Sequence, residues 1–481
     1  MATIAAGTEP VEATPELKRT LGLGDVALFF IVASSNLQWV ATAAAAGPSA
    51  LTVWIIGLFA MFVPLSLCVV FLCSHHPDEG GMYVWAKLAF GPFAGFMTGW
   101  MYWTANLAYF PALLYFTAGN GVFVGGNASA LSKSAPYFIA VSLAGLVLGT
   151  MLNVYGLGVG KWLTNVGGAC RWIVTMLLMG LGAYAWFAYG PATPINAVSL
   201  HPGFALKDVI FWSVIAFAWT GPEAISFMAG EVRAPRRSIP VGLLIAGPFV
   251  LLIYVAGTLA VLATLAPSAV DSSSGVMQSI QHVASRAGWN VITPIAAVLV
   301  VVSCLGSVGA WLGAAARIPF VAGIDHYLPA AFGRIHPRWG SPVVALVTQA
   351  AITAVFIFLG QGGASVKSAY DVLVSSTVIT TLLPFLFLFG SAIKLYAEPS
   401  TPDMVRIPGG RPTIVVGALI GLFTTAAAIA LAGFPADDDP NKPLAVAKVV
   451  VLTGLLIGSG VVVYAIGESK KRAERRAAAG A

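Results

Sequence analysis

Long, uninterrupted apolar runs are the feature of this sequence that most constrains its fold. Of the 481 residues, 58% are hydrophobic and only 9% are charged, whereas soluble domains carry about 25% charged residues. A helix of about 20 apolar residues crosses the roughly 30 Å hydrocarbon layer of a bilayer. Barrel strands would instead alternate polar and apolar residues in short segments. The sequence therefore predicts an all-α polytopic membrane protein with about twelve transmembrane helices.

The predicted spans, numbered 1 to 12 in chain order, cover residues 24–46, 50–73, 93–118, 136–153, 163–189, 209–229, 241–266, 290–314, 342–360, 372–393, 413–433 and 444–466. The polar segment before span 1 lacks the basic region and cleavage site of a secretory signal. We therefore expect span 1 to stay in the protein.

The distribution of basic residues predicts the orientation. With the N-terminus inside, eighteen of the 25 Lys and Arg residues fall in inner segments, six fall in outer ones, and Arg171 lies within a span. Basic residues accumulate in cytoplasmic loops, so we expect both termini to be cytoplasmic, in a cell inner membrane. The net charge of +6 follows from this asymmetry and does not indicate a nucleic-acid partner. The basic run 470–476 is expected to meet anionic membrane lipids.

Residue types that bind metals are poorly placed for it. The six histidines lie in loops or at their edges, and the adjacent acids Asp437–Asp439 lack the spaced ligands of a calcium loop. The four cysteines lie inside apolar runs, where a free thiol behaves as a small hydrophobe; they are Cys68, Cys73, Cys170 and Cys304. We expect neither a metal nor a cofactor.

Two spans carry helix-breaking sequences. Span 1 contains Ser34-Ser35-Asn36 between apolar stretches, and short polar side chains compete with helical backbone hydrogen bonds. Span 6 contains Gly221-Pro222, where the proline removes a donor and is suited to begin a new helix. Unwound backbone at membrane depth is tolerated where it lines a cavity. Because spans 1 and 6 begin two five-helix halves, the breaks favour an inverted repeat with a central binding site.

Two ionisable residues, Arg171 and Glu223, lie deep in predicted spans. A charge at the bilayer centre costs at least about 2.5–3.5 kcal/mol, so each is expected to face protein or water. Glu223 is interpreted either as a proton-titrating carboxylate that lines the site or as a structural acid. Arg171 cannot release its proton. It is either a permanent substitute for a bound cation, bridging carbonyls of span 1, or part of an ion pair, potentially with Glu223.

A membrane-embedded enzyme and a channel are the remaining alternatives. An enzyme needs a nucleophile with a base, or a metal cluster, at membrane depth, and no deep histidine or carboxylate pair supplies one. A channel needs rings of polar groups around a pore. The sequence therefore favours a transporter over both.

Several motifs, in order along residues 20–467, resemble those of amino acid–polyamine–organocation permeases. The segment from His76 to Trp85, with Phe90-Gly91-Pro92, is similar to the region between their second and third helices. The stretch from Gly221 to Pro240 is similar to their sixth helix and its exit. The matching eighth-helix and later motifs are Cys304-Leu305-Gly306-Ser307 with Trp311, Arg317, Asp325 to Pro329, and Arg406 to Gly410.

The resemblance implies a LeuT-type fold, with ten core helices in two inverted repeats and two peripheral helices. The implied divisions are a cytoplasmic tail at 1–20, a core at 21–395 with repeats at about 21–190 and 207–395, helices 11 and 12 at 396–467, and a basic cytoplasmic tail at 468–481.

The resemblance also implies a substrate held between the two broken helices. In such permeases, backbone amides of the first helix bind the substrate carboxylate and carbonyls of the sixth bind its amine, in agreement with the helix dipoles. Carried over by position, the carboxylate site is Ser34, Ser35 and Asn36, and the amine site is Phe217, Ala218, Trp219 and Thr220, beside Gly221. Phe217 and Trp311 match gating aromatics. Wall positions fall to Tyr102, Ala105, Asn106, and Ser375 or Ser376.

Two residues depart from the usual pattern. Ser34-Ser35-Asn36 replaces a Gly-Ser-Gly turn, which adds side chains to the carboxylate pocket, and Arg171 stands where many relatives carry a lysine that replaces sodium. We therefore expect a sodium-independent transporter of amino acids that acts as an exchanger or is coupled to protons through Glu223, as a monomer or homodimer. A polyamine or other organic amine is the alternative substrate.

Overall fold

The computed structural model describes residues 22–76, 81–125, 131–319, 327–361, 366–397, 405, 407–434 and 442–479. The N-terminal tail at 1–20 lies outside this set, as do parts of the motifs named above. Those parts are residues 77–80, Asp325, Arg406 and the acidic triplet Asp437–Asp439.

The described residues form helices in the order the sequence predicts. Span 1 is a bent pair, Leu23–Ser34 and Leu37–Ala46, and span 2 is Ser49–Gly57, a π-helical turn at Leu58–Phe62, and Val63–His75. Span 6 is Leu206–Ala218 followed by a 3-10 helix, Pro222–Glu231. The other spans, 3 to 5 and 7 to 12, are Pro92–Gly121, Ala135–Val154, Leu157–Tyr189, Pro235–Thr264, Ile292–Ala315, Val343–Gln361, Val366–Leu395, Gly410–Ala432 and Lys442–Ala479.

Ten helices in the described part of the chain are long and apolar enough to cross a membrane, and the bent pair of span 1 makes an eleventh. Span 9 contributes a shorter apolar helix, Val343–Leu359. The prediction of an all-α polytopic membrane protein is confirmed. In the described part of the chain, two further α-helices lie between spans and were not predicted: Met82–Phe90 and Gly275–Arg286.

Span 12 extends beyond its predicted end. Its helix continues to Ala479, through the segment expected to be a tail from residue 468. The sequence there is rich in Ala, Lys, Arg and Glu, which are strong helix formers. Arg472 Nε lies 3.3 Å from Glu468 Oε1, a spacing of four residues that supports a helix.

The π-helical turn in span 2 accompanies a proline. Pro64 has no N–H to donate, and its ring clashes with the carbonyl four residues before it. A wider turn at Leu58–Phe62 accommodates that conflict, as such turns do elsewhere. Just before this turn, a Cβ on Gly57 would lie 2.6 Å from the Trp219 ring, so span 2 packs closely against the break in span 6.

Burial separates central from peripheral spans. In span 3, 89% of the most apolar window is buried, whereas in span 12 the value is 17%. Large apolar side chains such as Leu244 and Phe423 are more than three-quarters exposed, at 76% and 77%. Such surface suits hydrocarbon rather than water. Span 3 is therefore a central element, and span 12 lies at the periphery.

The packing has the symmetry of two five-helix repeats. Span 5 packs most extensively on span 8, and span 3 on span 10; span 1 packs on span 7, and span 6 contacts span 2. Spans five positions apart in the chain are equivalent in such a repeat. The pair of spans 5 and 8 is then equivalent to the pair of spans 10 and 3, and the pair of spans 1 and 7 to the pair of spans 6 and 2. Spans 5 and 8 meet backbone to backbone, because a Cβ on Gly167 would lie 2.6 Å from Gly306 Cα.

Candidate functional site

The break in span 1 is present where the sequence predicts it. Ser35 and Asn36 are extended, with φ values of −113° and −121°, and the helices on either side meet at 41°. The Ser35 hydroxyl donates to the Ile31 carbonyl, the competing bond expected of a serine at a helix end. The second half of the span therefore begins at Leu37, with its N-terminal amides at membrane depth.

The break in span 6 is also present. The α-helix ends at Ala218, and the Thr220 hydroxyl donates to the Phe217 carbonyl at 2.8 Å. Gly221 has φ 129°, a value that favours glycine. A Cβ there would lie 2.4 Å from Ser34 Oγ. The two breaks thus contact each other directly, and Gly221 permits the approach.

A cavity of about 40 Å³ lies between the breaks. Its walls come from spans 1, 3, 6, 8 and 10, and are formed by Ala33, Asn36, Trp39, Tyr102, Asn106, Tyr109, Phe217, Ala218, Thr220, Glu223, Trp311 and Thr381. One water needs at least about 10–15 Å³ by this measure, so the cavity holds about three waters. An organic substrate therefore enters only when wall residues move.

Four aromatic side chains, Trp39, Tyr109, Phe217 and Trp311, form an aromatic cluster on this cavity. Phe217 meets Trp39 edge to face, with ring centroids 5.4 Å apart, and lies 6.4 Å from Tyr109. Tyr109 lies 6.4 Å from Trp311 in turn. These spacings are those of favourable aromatic pairs. The cluster links spans 1, 3, 6 and 8 across one side of the cavity.

Glu223 is a buried carboxylate in the cavity wall, 1% exposed. Its Oε1 accepts from the Tyr102 hydroxyl at 3.0 Å, and its Oε2 accepts from the Gly221 amide at 2.7 Å. Its position in the first turn after Pro222 agrees with the prediction, although that turn is a 3-10 helix. Among the residues the structure describes, no cation lies within ion-pair distance of Glu223, so the carboxylate remains available to a proton or a ligand.

Arg171 on span 5 donates to oxygen atoms of spans 1 and 8. Its Nη1 donates to the carbonyls of Val32 at 2.7 Å and Ser35 at 2.6 Å. From span 8, Ser303 Oγ accepts from Nε at 3.3 Å, and Ser307 Oγ accepts from Nη2. Within the described residues the two buried charges therefore form no pair. The guanidinium instead connects the end of the first half of span 1 to span 8.

Eight residues of the predicted site line the cavity, and the rest of the set does not. Ser34 faces Gly221, and its hydroxyl has no partner among the described residues. The Ser35 hydroxyl bonds back to its own helix. Trp219 packs against Trp54 and donates to its carbonyl at 3.1 Å. The others outside the lining are Ala105, Arg171, Gly221 and Ser375.

Four lining residues were not predicted: Ala33, Trp39, Tyr109 and Thr381. Tyr109 lies three residues after Asn106 and seven after Tyr102, which places all three on one helix face, so helical spacing would have found it. Thr381 takes the place on span 10 expected for Ser375. The six-residue offset corresponds to about 9 Å along a helix.

Metal chemistry receives no support from the described residues, since no three His, Cys, Asp or Glu side chains among them are grouped to hold an ion. All four cysteines are free and buried, as predicted.

A polytopic helical fold with two broken spans around a central cavity is typical of membrane transporters. The amino acid permease family model matches residues 20–456, and the chain belongs to that family.

Several relatives carry the name of a transporter. An uncharacterized transporter of Legionella pneumophila is 27% identical over 92% of this chain and 95% of its own length. A probable agmatine/putrescine antiporter of Lactococcus lactis is 25% identical over 77% of this chain and 78% of its own length. An uncharacterized transporter of Mycobacterium bovis is 27% identical over 81% and 89%.

Proposed function

We propose that this chain is a sodium-independent secondary transporter of amino acids that works by alternating access. The observation that carries the proposal is the direct meeting of the two breaks at a cavity, with Arg171 at the adjoining end of span 1. The restarted half of span 1 offers N-terminal amides to a carboxylate, and the end of the first half of span 6 offers carbonyls to an amine. A zwitterionic amino acid matches both.

Sodium independence rests on Arg171. Its guanidinium binds two span 1 carbonyls and two span 8 hydroxyls, the kind of oxygen ligands that a metal cation would take. Since arginine stays charged, that cation is permanent. A bound sodium ion has no role left at this position.

Glu223 is the proposed proton site. A substrate carboxylate and an ionised Glu223 in one small cavity repel each other, because like charges interact strongly in a low dielectric. Protonation of Glu223 removes the repulsion. For an amino acid, uptake is therefore expected to rise as the pH on the substrate side falls.

An organic amine is the second candidate substrate. It is favoured by the buried carboxylate of Glu223, which lacks a cationic partner among the described residues, and by the aromatic cluster, since aromatic faces attract cations. The named agmatine/putrescine antiporter among the relatives adds to this case. A cationic amine would bind ionised Glu223, so its uptake is expected to rise with pH, opposite to an amino acid.

The closing test is counterflow in proteoliposomes that contain the purified full-length protein. Vesicles loaded with unlabelled amino acids or amines receive labelled substrate, with sodium replaced by choline in one arm and the external pH varied in another. Competition by amino acids, no sodium requirement and faster uptake at acidic pH are expected. Competition by amines alone would show that the substrate is an organic amine instead of an amino acid. A sodium requirement would overturn the proposed role of Arg171.

Membrane placement completes the proposal. The excess of basic residues on one side supports cytoplasmic termini in a cell inner membrane, with protons and anionic lipids as partners and a monomer or homodimer as the working unit. Labelling of single cysteines placed after residue 476 should succeed from the cytoplasmic side alone.

A further inference from the structure

Tyr254 on span 7 contacts both breaks through its hydroxyl group. Its hydroxyl oxygen lies 2.5 Å from the Ser34 carbonyl, 3.1 Å from the Ala218 carbonyl and 3.4 Å from the Asn36 amide. The side chain is fully buried. One phenol group thus meets backbone atoms of span 1 and span 6.

Both carbonyls have lost their helical partners. In a continuous helix each carbonyl accepts from the amide four residues later. For Ala218 that residue is Pro222, which has no N–H. For Ser34 it is Gln38, which lies beyond the bend in span 1. The Tyr254 hydroxyl therefore stands where two breaks have each removed a donor.

The ring of Tyr254 is fixed by its neighbours. It stacks on Trp54, with centroids 4.0 Å apart and an interplanar angle of 8°. Trp54 in turn donates from Nε1 to the Thr258 hydroxyl at 3.0 Å and accepts at its carbonyl from Trp219 Nε1 at 3.1 Å. Spans 2, 6 and 7 together hold the phenol in place.

A hydroxyl has one proton to donate, so Tyr254 cannot satisfy both carbonyls at once. The Ser34 carbonyl at 2.5 Å is the better-placed acceptor, and the Ala218 carbonyl at 3.1 Å at most shares the proton. Ala218 also lines the cavity. An unsatisfied carbonyl in a buried site is a strong acceptor for an ammonium group.

We propose that Tyr254 is a positioning residue for the substrate amine: it holds the Ser34 carbonyl and the Asn36 amide in place and leaves the Ala218 carbonyl to receive the amine. This inference rests on the proposed function, because the amine belongs to the transported substrate. It applies to an amino acid and to an organic amine alike.

The test compares two tyrosine-to-phenylalanine changes in full-length protein reconstituted in proteoliposomes. Tyr254→Phe keeps the stack on Trp54 and removes the hydroxyl. Tyr115→Phe is the matched control, since Tyr115 is fully buried and its hydroxyl donates to the Ile357 carbonyl outside the cavity. Tyr254→Phe should raise KM about fivefold, the effect of one buried hydrogen bond, and leave the maximal rate within about twofold. Tyr115→Phe should leave KM unchanged.

Equal KM values in the two variants would overturn the proposal. If Tyr254→Phe yields no folded protein, the test uses Thr258→Val, which keeps the phenol but removes the hydroxyl that accepts from Trp54 Nε1. A rise in KM over the control supports the proposal. An unchanged KM refutes it. Uptake by the wild-type protein distinguishes failure of the proposed function from failure of the Tyr254 proposal. Absence of amino acid and amine uptake there would refute the proposed function, whereas normal wild-type uptake with unaffected variants would refute the role of Tyr254 alone.

Discussion

Arg171 and Glu223 are both buried charges in the core, 7% and 1% exposed, yet their surroundings differ in kind. Arg171 donates to four oxygen atoms on two spans. Glu223 accepts two hydrogen bonds, from Tyr102 and Gly221, and faces the cavity. Burial shows only that a charged side chain has a large desolvation free energy. Its hydrogen-bonding partners determine whether the charge is fixed by the fold or available to a proton or ligand.

The largest expected effect is that of Arg171→Ala. The change leaves several buried acceptors without donors, each at a cost of about 1–3 kcal/mol, and disconnects span 1 from span 8. We expect loss of uptake and a strongly lowered thermal midpoint, measured on detergent-purified protein. Arg171→Lys, which keeps a cation, should retain part of both. An Arg171→Ala variant with the thermal midpoint and uptake of the wild type would contradict the structural role that distinguishes Arg171 from Glu223.

Glu223→Gln tests the other side of the comparison. The amide keeps the size of the side chain but cannot titrate, so the variant should fold normally and show uptake that no longer changes with pH. Initial rates across a pH series, with Glu223→Asp as the titratable control, measure this. Persistence of the wild-type pH profile in Glu223→Gln would remove Glu223 as the proton site.

Tyr102→Phe should have an intermediate effect. It deletes one of the two hydrogen bonds to Glu223 and keeps the ring against Phe227, whose centroid lies 5.0 Å away. A single bond of this kind is worth about 1 kcal/mol, or roughly a fivefold change in KM. Saturation curves should show that rise with little change in thermal midpoint. The reverse pattern would assign Tyr102 to the fold.

Ser303→Ala should give the smallest effect and the opposite pattern. It removes the acceptor 3.3 Å from Arg171 Nε, so the loss of stability should be about 1 kcal/mol. Because Ser303 does not line the cavity, KM and the pH profile should stay as in the wild type. Denaturation and uptake measured on the same preparation check both statements, and an altered pH profile would connect the two charges after all.

Local chemistry explains which parts were predictable from sequence. Gly221-Pro222 and Ser34-Ser35-Asn36 break helices by their own steric and hydrogen-bonding properties, so both breaks were found. The wall on span 10 was expected at Ser375 or Ser376, whereas Thr381 lines the cavity, because a helix apolar on all sides gives little signal about which face lies inward. Tyr254 could not be predicted because its hydroxyl contacts come from tertiary packing. Span 7 packs against two breaks that are distant from it in sequence.

The glycine contact between spans 5 and 8 limits how this molecule can move. Gly167 and Gly306 touch through their backbones, one turn from Arg171 and its span 8 serines, so we expect these two helices to move as a unit. A tilt of span 1 away from them would break the guanidinium bonds to Val32 and Ser35. Opening of the cavity is therefore expected to proceed mainly by displacement of spans 6 and 10, which among the described residues have no such guanidinium bonds to spans 5 and 8.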